Sequence, residues 1–339
     1  MGRGPVGGPT EVNPRSPSVS VVVPFHNRAA LLRELLAGLA RQAGVEGADV
    51  EVILVDDGSN DGAAAGASGA VVVGRPVRVL TCERAGAVAA RKVGVAAARG
   101  DILAFTDSDC VPEPGWLAAG MAAIAGGADL VQGHTRSARR RAPLERSLWV
   151  EDEGLYPTCN VFYTRAAYDA AGGFDADVAL RYGFRPGARA KGLGFGEDTV
   201  LGWRVRRTGV AVYEPAAVVR HHVFPPDLGD QLSRTLQAAA FPSLVREVPE
   251  LRSTFLHQRV FLGRSRPALY AAAAALGVRR PGVAGGFLAL WAAGHWRRAR
   301  RAEPSRARVA KALPVLLATD LVTALALIAG SARARRLVL

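Results

Sequence analysis

Short apolar runs alternate with amphipathic segments through the first two-thirds of the chain. "VSVVVPF" (residues 19–25) is almost uninterrupted, as a strand buried on both faces should be. Leu31, Leu32, Leu35, Leu36 and Leu39 then recur along one side of a helix. "VEVILVDDGSNDG" (50–62) is a second buried strand that runs into acids, Ser and Gly. "VRVLT" (77–81) is a third, and "GAVAARKVGVAAARG" (86–100) reads as a helix closed by Gly100. "DILAFTDSD" (101–109) is a fourth strand and again closes on acids. This β-α-β order predicts an α/β fold, a parallel sheet with helices on both faces. Ligands of such sheets sit at the carboxyl ends of the strands. Three polar clusters should therefore share one edge: Phe25-His26-Asn27, Asp56-Asp57-Gly58-Ser59 and Asp107-Ser108-Asp109.

The pattern loosens after residue 126. "ADLVQGHT" (128–135) reads as a strand and "APLERSLWVEDEGLY" (142–156) as a helix. "CNVFYTRAAYDAAGGFD" (159–175) reads as a short strand, then a short helix ended by paired glycines. Residues 176–196 are Gly-rich, a candidate mobile loop. "GEDTVLGWRVRRTG" (196–209) is a helix with two acids at its positive end, and residues 210–222 are strand-like. Beyond Pro226 three apolar runs follow: 268–278, 282–294 and 312–330. Only the last, at 19 residues, approaches the length of a membrane span. Asp320 interrupts it, at a cost of about 2.5–3.5 kcal/mol on insertion scales.

Charge sharpens this division. The chain carries +13, and residues 226–339 hold 18 Lys+Arg against 6 Asp+Glu, or +12. That leaves +1 for residues 1–225. Arginines flank the 312–330 run on both sides, which sets no single orientation. An interfacial or re-entrant hairpin with arginines reaching lipid phosphates fits the pattern, beside the plainer reading of a soluble helical subdomain. Aromatic interleaving is absent, which argues against nucleic acid. Residues 1–17 are Gly/Pro-rich with no apolar core, a disordered leader rather than a signal peptide. Three cysteines without metal-site spacing suggest a reducing, cytoplasmic setting.

The D-x-D pair at Asp107 and Asp109 carries little information by spacing. The chain has 16 Asp, so such a pair arises about once by chance, and a second stands at Asp175 and Asp177. Order along the chain is more specific. "VSVVVPFHNR", "VDDGSNDG", "RAGAVAARKVG", "GDILAFTDSDC", "NVFYTRAAYDAAGGFD", "GFGEDTVLGWRVRRTG" and "EPAAVVRHH" together resemble a family 2 glycosyltransferase of the GT-A fold. The resemblance covers roughly residues 18–225, followed by a basic, apolar, membrane-associated helical region over 226–339.

That resemblance implies a GT-A type Rossmann-like mixed sheet, a nucleotide-sugar donor, Mg²⁺ or Mn²⁺, and inversion at the anomeric carbon. It places Asp198, with Glu197 beside it, as the base that deprotonates an acceptor hydroxyl. It places Asp109 and Asp107 at the metal, Asp109 nearer the ion and Asp107 nearer the ribose, with His221 (or His222) reaching the metal or diphosphate. Pro24, Phe25, Asn27 and Asp57 fall on the nucleoside side, with Asp56 competing for the last role. Arg84 and Arg91 fall on the diphosphate side, and Asn160 and Arg165 on the acceptor side. The Asp175–Asp177 pair matches a structural or acceptor-side turn and takes no metal. The sequence departs from the family at Phe25-His26, at Lys92 and at Cys110.

The expected activity is transfer to a lipid-linked or glycan acceptor in cell-envelope synthesis, at the cytoplasmic face of the cell membrane. Two alternatives stand beside it. Lys92 and Cys110 would suit a catalytically degenerate membrane scaffold. A sugar-phosphate nucleotidyltransferase needs a Gly-rich loop after the first strand, which "PFHNR" lacks. No G-x-G-x-x-G follows that strand either, which argues against a Rossmann dehydrogenase.

Overall fold

The structure, a computed structural model, describes residues 18–183 and 194–339. The leader over 1–17 and residues 184–193 of the Gly-rich 176–196 stretch lie outside the described residues. The first two apolar runs form the expected strands: β1 (Ser18–Phe25), followed by helix α1 (Ala29–Ala40), and β2 (Asp49–Asp56). A short helix α2 (Ala63–Ala67) and a ribbon of β3 (Val71–Val72) and β4 (Arg75–Pro76) lead to β5 (Arg78–Thr81). Helix α3 (Ala87–Ala97) and strand β6 (Ile102–Thr106) follow. The helix stops at Ala98, not at Gly100. Gly100 instead lets two segments touch, since a Cβ there would lie 2.5 Å from the Ser20 backbone nitrogen.

After β6 come β7 (Cys110–Pro112), α4 (Trp116–Ala125), β8 (Leu130–Ser137) and β9 (Asn160–Thr164). Helices α5 (Arg165–Ala170), α6 (Val178–Arg181) and α7 (Glu197–Arg206) precede β10 (Ala211–His221). The eight-stranded sheet has the order β5-β2-β1-β6-β9-β8-β10-β7. Strands β5, β2, β1 and β6 are mutually parallel, but β9 runs antiparallel to both β6 and β8, and β7 runs antiparallel to β10. The sheet is thus mixed rather than wholly parallel. β10 bulges between Glu214 and Val218, where Pro215 removes a ladder donor.

Alternation in β1 divides the core. Val19, Val21 and Val23 pack with Leu32, Leu35 and Leu39 of α1 and Trp116 of α4 on one face. Val22 faces the other way, into a cluster with Val88 of α3 and Val200 and Leu201 of α7. Helices therefore cover both faces, as the binary pattern predicts.

The helix expected over 142–156 does not form. Val150 exchanges main-chain hydrogen bonds with Thr135, and Arg146 with Phe224. Long-range pairing of this backbone overrides a weak local helix preference. Leu144 and Tyr156 lie at φ 73° and 52°, which no helix accommodates.

The C-terminal third is helical: α8 (Leu228–Gln237), α9 (Phe241–Glu247), α10 (Leu251–Thr254), α11 (Arg266–Gly277), α12 (Pro281–Arg300) and α13 (Arg306–Ala334). It is not a free tail. Leu327 of α13 is fully buried in the same cluster as Phe105 and Tyr163 of the sheet. At Gly330 a Cβ would meet the Ala239 carbonyl oxygen at 2.2 Å, so only glycine allows this approach. Among the described residues α13 is the one helix long and apolar enough to cross a membrane, and 28% of its most apolar window is buried against protein. Leu321, Leu325 and Ile328 of the same helix are exposed. Asp320, the charge within its apolar run, accepts from Trp291 Nε1 at 2.8 Å and lies 3.3 Å from His295 Nε2.

Candidate active site

Parallel pairing in register brings Phe25 beside Asp56, so the first two polar clusters do share an edge. They are tied together by their own loops. His26 Nδ1 lies 2.9 Å from the Asp57 carbonyl, and Asn27 N–H donates to Ser59 Oγ at 2.7 Å. Asn27 sits at φ 56°, and its Oδ1 accepts from the Asn60 N–H. Asp57 is buried, and its carboxylate accepts from the backbone N–H groups of Ala85 and Gly86. It clips the loop after β2 to the loop before α3. Asp56 closes a tighter turn by accepting from Ser59 N–H. Pro24 and Phe25 are buried at the end of β1, and Arg84 is exposed beside Gly58.

Beyond β6 the two aspartates of D-x-D face different partners. Asp107 Oδ1 accepts from Arg91 Nη2 at 2.6 Å. Arg91 is buried on α3 and also feels Glu197 and Asp198 at the start of α7. Burial opposes its charge, but the three carboxylates outweigh this and raise its pKa. Asp107 is therefore held within an Arg91-centred cluster, not turned toward the metal side where it was also expected.

Asp109 faces that other side. β7 pairs with β10 so that Cys110 stands opposite His221, which unites residues far apart in the chain. A carboxylate oxygen of Asp109, Cys110 Sγ and a ring nitrogen of His221 lie within 4.8 Å of one another. His221 Nδ1 is 2.7 Å from the His222 carbonyl oxygen, which can only accept. Nδ1 therefore carries a proton, and Nε2 faces Asp109 Oδ1, 3.7 Å away. This is how a ligating imidazole is oriented by an outer partner. His222, the alternative to His221, contributes its backbone here. Arg28 Nη1 pairs with Asp109 Oδ2 at 2.5 Å. Burial works against ionising Asp109, but His221 and Arg28 prevail and hold its carboxyl below the usual range.

The donor set fits a hard divalent ion through Asp109 and His221. Cys110 fits it less well, because burial pushes its thiol well above the ordinary range and keeps it protonated. Cys110 is fully buried and serves the core beside Cys159. All three cysteines are free.

Glu197 and Asp198 occupy the first turn of α7, after Gly196 at φ 81°. Asp198 Oδ1 accepts from Thr199 N–H at 2.7 Å, which meets a helix-end donor. Burial pushes the Asp198 carboxyl up to about 6. Burial, then the Asp198 charge, pushes Glu197 up to about 7. Such values suit proton exchange near neutral pH.

The shift also predicts a stability profile. Between the ordinary value of 4.5 and about 7, folded Glu197 keeps a proton that the unfolded chain has released. Its contribution is present below pH 4.5 and is lost as pH rises through 7. Urea melts of wild type and Glu197→Gln at pH 4.5 and 7.5 check this. The wild type should lose about 1–3 kcal/mol relative to the variant across that interval. Parallel profiles would remove the assignment.

Of the two expected acceptor residues, Asn160 turns into the sheet and Arg165 lies away from the site. Asn160 is fully buried, accepts from Trp116 Nε1 and donates to the His134 and Ala217 carbonyls. It stitches β8, β9 and β10 together, and Gly133 is its necessary neighbour, since a Cβ there would lie 2.4 Å from Asn160 Oδ1. Arg165 follows the antiparallel β9 to the opposite edge of the sheet, where it donates to the Gly100 and Ala98 carbonyls. The sequence reading missed Arg28, although "PFHNR" contains it, and missed Ser147, whose Oγ donates to the His221 carbonyl. Asp175 pairs with Arg181 at 2.6 Å and caps a turn through Asp177 N–H.

An open mixed α/β sheet with acids gathered past its fourth central strand is the GT-A class of fold. The mannosyltransferase PcManGT from Pyrobaculum calidifontis, solved with GDP-Man and Mn²⁺, superposes with a TM-score of 0.50 at 18% identity. The alignment covers 94% of this chain and 87% of that one, and the likeness is one of fold. Residues 20–173 match Glycosyl transferase family 2, and that segment is a domain of this family. It is 37% identical over 120 residues to glycosyltransferase AglE of Haloferax volcanii, covering 35% of this chain and 39% of AglE. It is 32% identical over 241 residues to the pre-mycofactocin glycosyltransferase of Mycobacterium tuberculosis, covering 62% of this chain and 45% of that relative. The chain thus spans less than half the length of either relative.

Proposed function

We propose that this protein is an inverting, metal-dependent glycosyltransferase that moves a sugar from a nucleotide-diphosphate donor to an acceptor hydroxyl. The observation that carries this reading is the division of D-x-D between two sites. Asp107 is joined through Arg91 to the raised carboxyls of α7, while Asp109 joins His221. A base and a leaving-group site thus lie on either side of one strand end. The family relatives, and the GDP-Man and Mn²⁺ held by PcManGT, support the donor class and the ion.

In the reaction, Asp198 takes the acceptor proton as the acceptor oxygen bonds to the anomeric carbon. The bond from that carbon to the donor phosphate oxygen breaks, and nucleoside diphosphate leaves with the electron pair. One displacement inverts the centre. Asp109 and His221 are the residues that would hold Mg²⁺ or Mn²⁺, which when bound would supply positive charge against the departing diphosphate. Arg91 holds Asp107 in place, and Asp57 holds the two loops that flank the nucleoside side. The acceptor we infer is lipid-linked or glycan, presented at the cytoplasmic face of the membrane, and α13 supports that setting by its length and composition alone.

Release of nucleoside diphosphate from a panel of UDP-, GDP- and dTDP-sugars, with and without Mn²⁺, tests the reading. At least one donor should be hydrolysed slowly with Mn²⁺ and not after chelation. Failure to bind or hydrolyse any donor would favour a catalytically degenerate scaffold. His221→Gln should raise the Mn²⁺ concentration needed by at least about 10–100-fold, the loss seen for outer-shell partners alone. An unchanged requirement would take His221 out of the metal site.

A further inference from the structure

A cleft of about 1300 Å³ lies between residues 136–149, α8 and helices α12 and α13. Nine arginines line it against three carboxylates, Glu145, Asp227 and Asp230. Those carboxylates are already engaged. Glu145 pairs with Arg139, Asp227 caps α8, and Asp230 pairs with Arg146 and Arg234. The walls thus hold six more positive charges than negative ones, counting nine against three.

One lining residue is unusual. Arg266 is only 9% exposed, and its Nη1 has no hydrogen-bond partner. Its ion-pair contact among the described residues is Asp320 Oδ1, 3.8 Å from Nη2. A buried guanidinium left this loosely paired costs stability, and an anion in the cleft would relieve that cost. Guanidinium groups bind phosphate through two parallel hydrogen bonds. The remaining wall is apolar, with Leu144, Leu262 and Leu316 contributing. Leu316 belongs to α13, whose exposed apolar face continues from there.

One wall residue links the cleft to the candidate metal site through an aromatic ring. Arg146 of its wall stacks on Phe224 at 4.1 Å, and Arg28 lies over the same ring at 5.1 Å. Arg28 in turn pairs with Asp109.

We propose that this cleft is the acceptor subsite and takes a phosphate- or diphosphate-bearing amphiphile, with phosphate on the arginines and the apolar chain along α13. The inference rests on the glycosyl-transfer reading above. The phosphate is an anchor and stays intact. The bond that forms joins an acceptor hydroxyl oxygen to the anomeric carbon, with the proton passing to Asp198 and nucleoside diphosphate leaving.

Calorimetric titration of the full chain in neutral detergent tests this, with farnesyl phosphate and farnesol as ligands. Farnesyl phosphate should bind at least tenfold more tightly than farnesol, about 1.4 kcal/mol. Arg266→Gln should abolish that preference. Arg298→Gln with Arg301→Gln, both on the outer rim of the cleft, should weaken farnesyl phosphate at least fivefold and guards against misfolding of the first variant. Equal affinity for phosphate and alcohol, or unchanged affinity in the rim variant, would overturn the proposal. Phosphatidylglycerol vesicles that displace farnesyl phosphate at equal phosphate concentration would also overturn it, by making the bilayer headgroup the ligand. Wild-type donor hydrolysis separates the two readings. If hydrolysis occurs and farnesyl phosphate does not bind, only the acceptor assignment falls. If no donor is hydrolysed, the glycosyl-transfer reading falls first.

Discussion

Asp198→Asn is expected to lower turnover by about 10²–10⁴-fold while leaving donor binding intact. The amide keeps the shape of the carboxylate, and its oxygen can still accept from Thr199 N–H, so the first turn of α7 survives. What it loses is the ability to take a proton. In the wild type, turnover should rise with pH through about 6, because Asp198 must be ionised to act. Steady-state rates of the variant and wild type from pH 5 to 8 are the measurement. A variant that turns over normally removes Asp198 as the base. A fall in donor affinity equal to the fall in rate would place it in binding instead.

Arg91→Met carries the second large effect. Arg91 is buried and is the cation shared by Asp107, Glu197 and Asp198. Removing one partner of a buried pair leaves uncompensated charge, which costs about 3–5 kcal/mol. Here three carboxylates lose their counter-charge together, and Glu197 and Asp198, already raised, should take up protons as the arginine goes. The variant should be less stable by that amount at pH 8 and recover part of it at pH 5, where protonation is cheap. Urea unfolding at the two pH values reads both terms. A loss below about 1 kcal/mol at pH 8 would mean that Arg91 is a solvated helix residue, as an arginine on an Ala-rich helix ordinarily is.

Much of the scaffold was legible from the order of residues. Strands buried on both faces need runs such as "SVVVP", and helices between them need Leu at the spacing of α1. Both are local patterns, so they survive reading one segment at a time. The helix misread over 142–156 is the counter-example. Its backbone is spent on Thr135 and Phe224, partners that no local window contains. The misplacement of Arg165 has the same origin. Its position in the chain resembles the family motif, but β9 runs antiparallel and carries it to the far edge. Asn160 is at the correct edge yet turns inward, because three strands need its side chain to satisfy their groups. Glu51 stands inside a buried strand run, and Ser20, Arg78 and Arg99 answer its charge from elsewhere in the chain.

By itself the sequence determined the family resemblance of its first half, the central strands, the acids at their ends and the basic C-terminal third. Each of these depends on residue type and order alone. Only the tertiary structure decided which acids work together. Asp107 and Asp109 are nearly adjacent in the chain, and their side chains leave a strand end in different directions. Arg91 on α3 takes one, and the β7–β10 pairing brings His221 to the other. The same packing turned the basic tail into a wall. Docking α13 against the sheet's own core places its helix beside residues 136–149 and encloses the arginine-lined cleft between them. Charge repulsion alone would keep those arginines apart, and it is the burial of Leu327 and the close approach at Gly330 that hold them near one another.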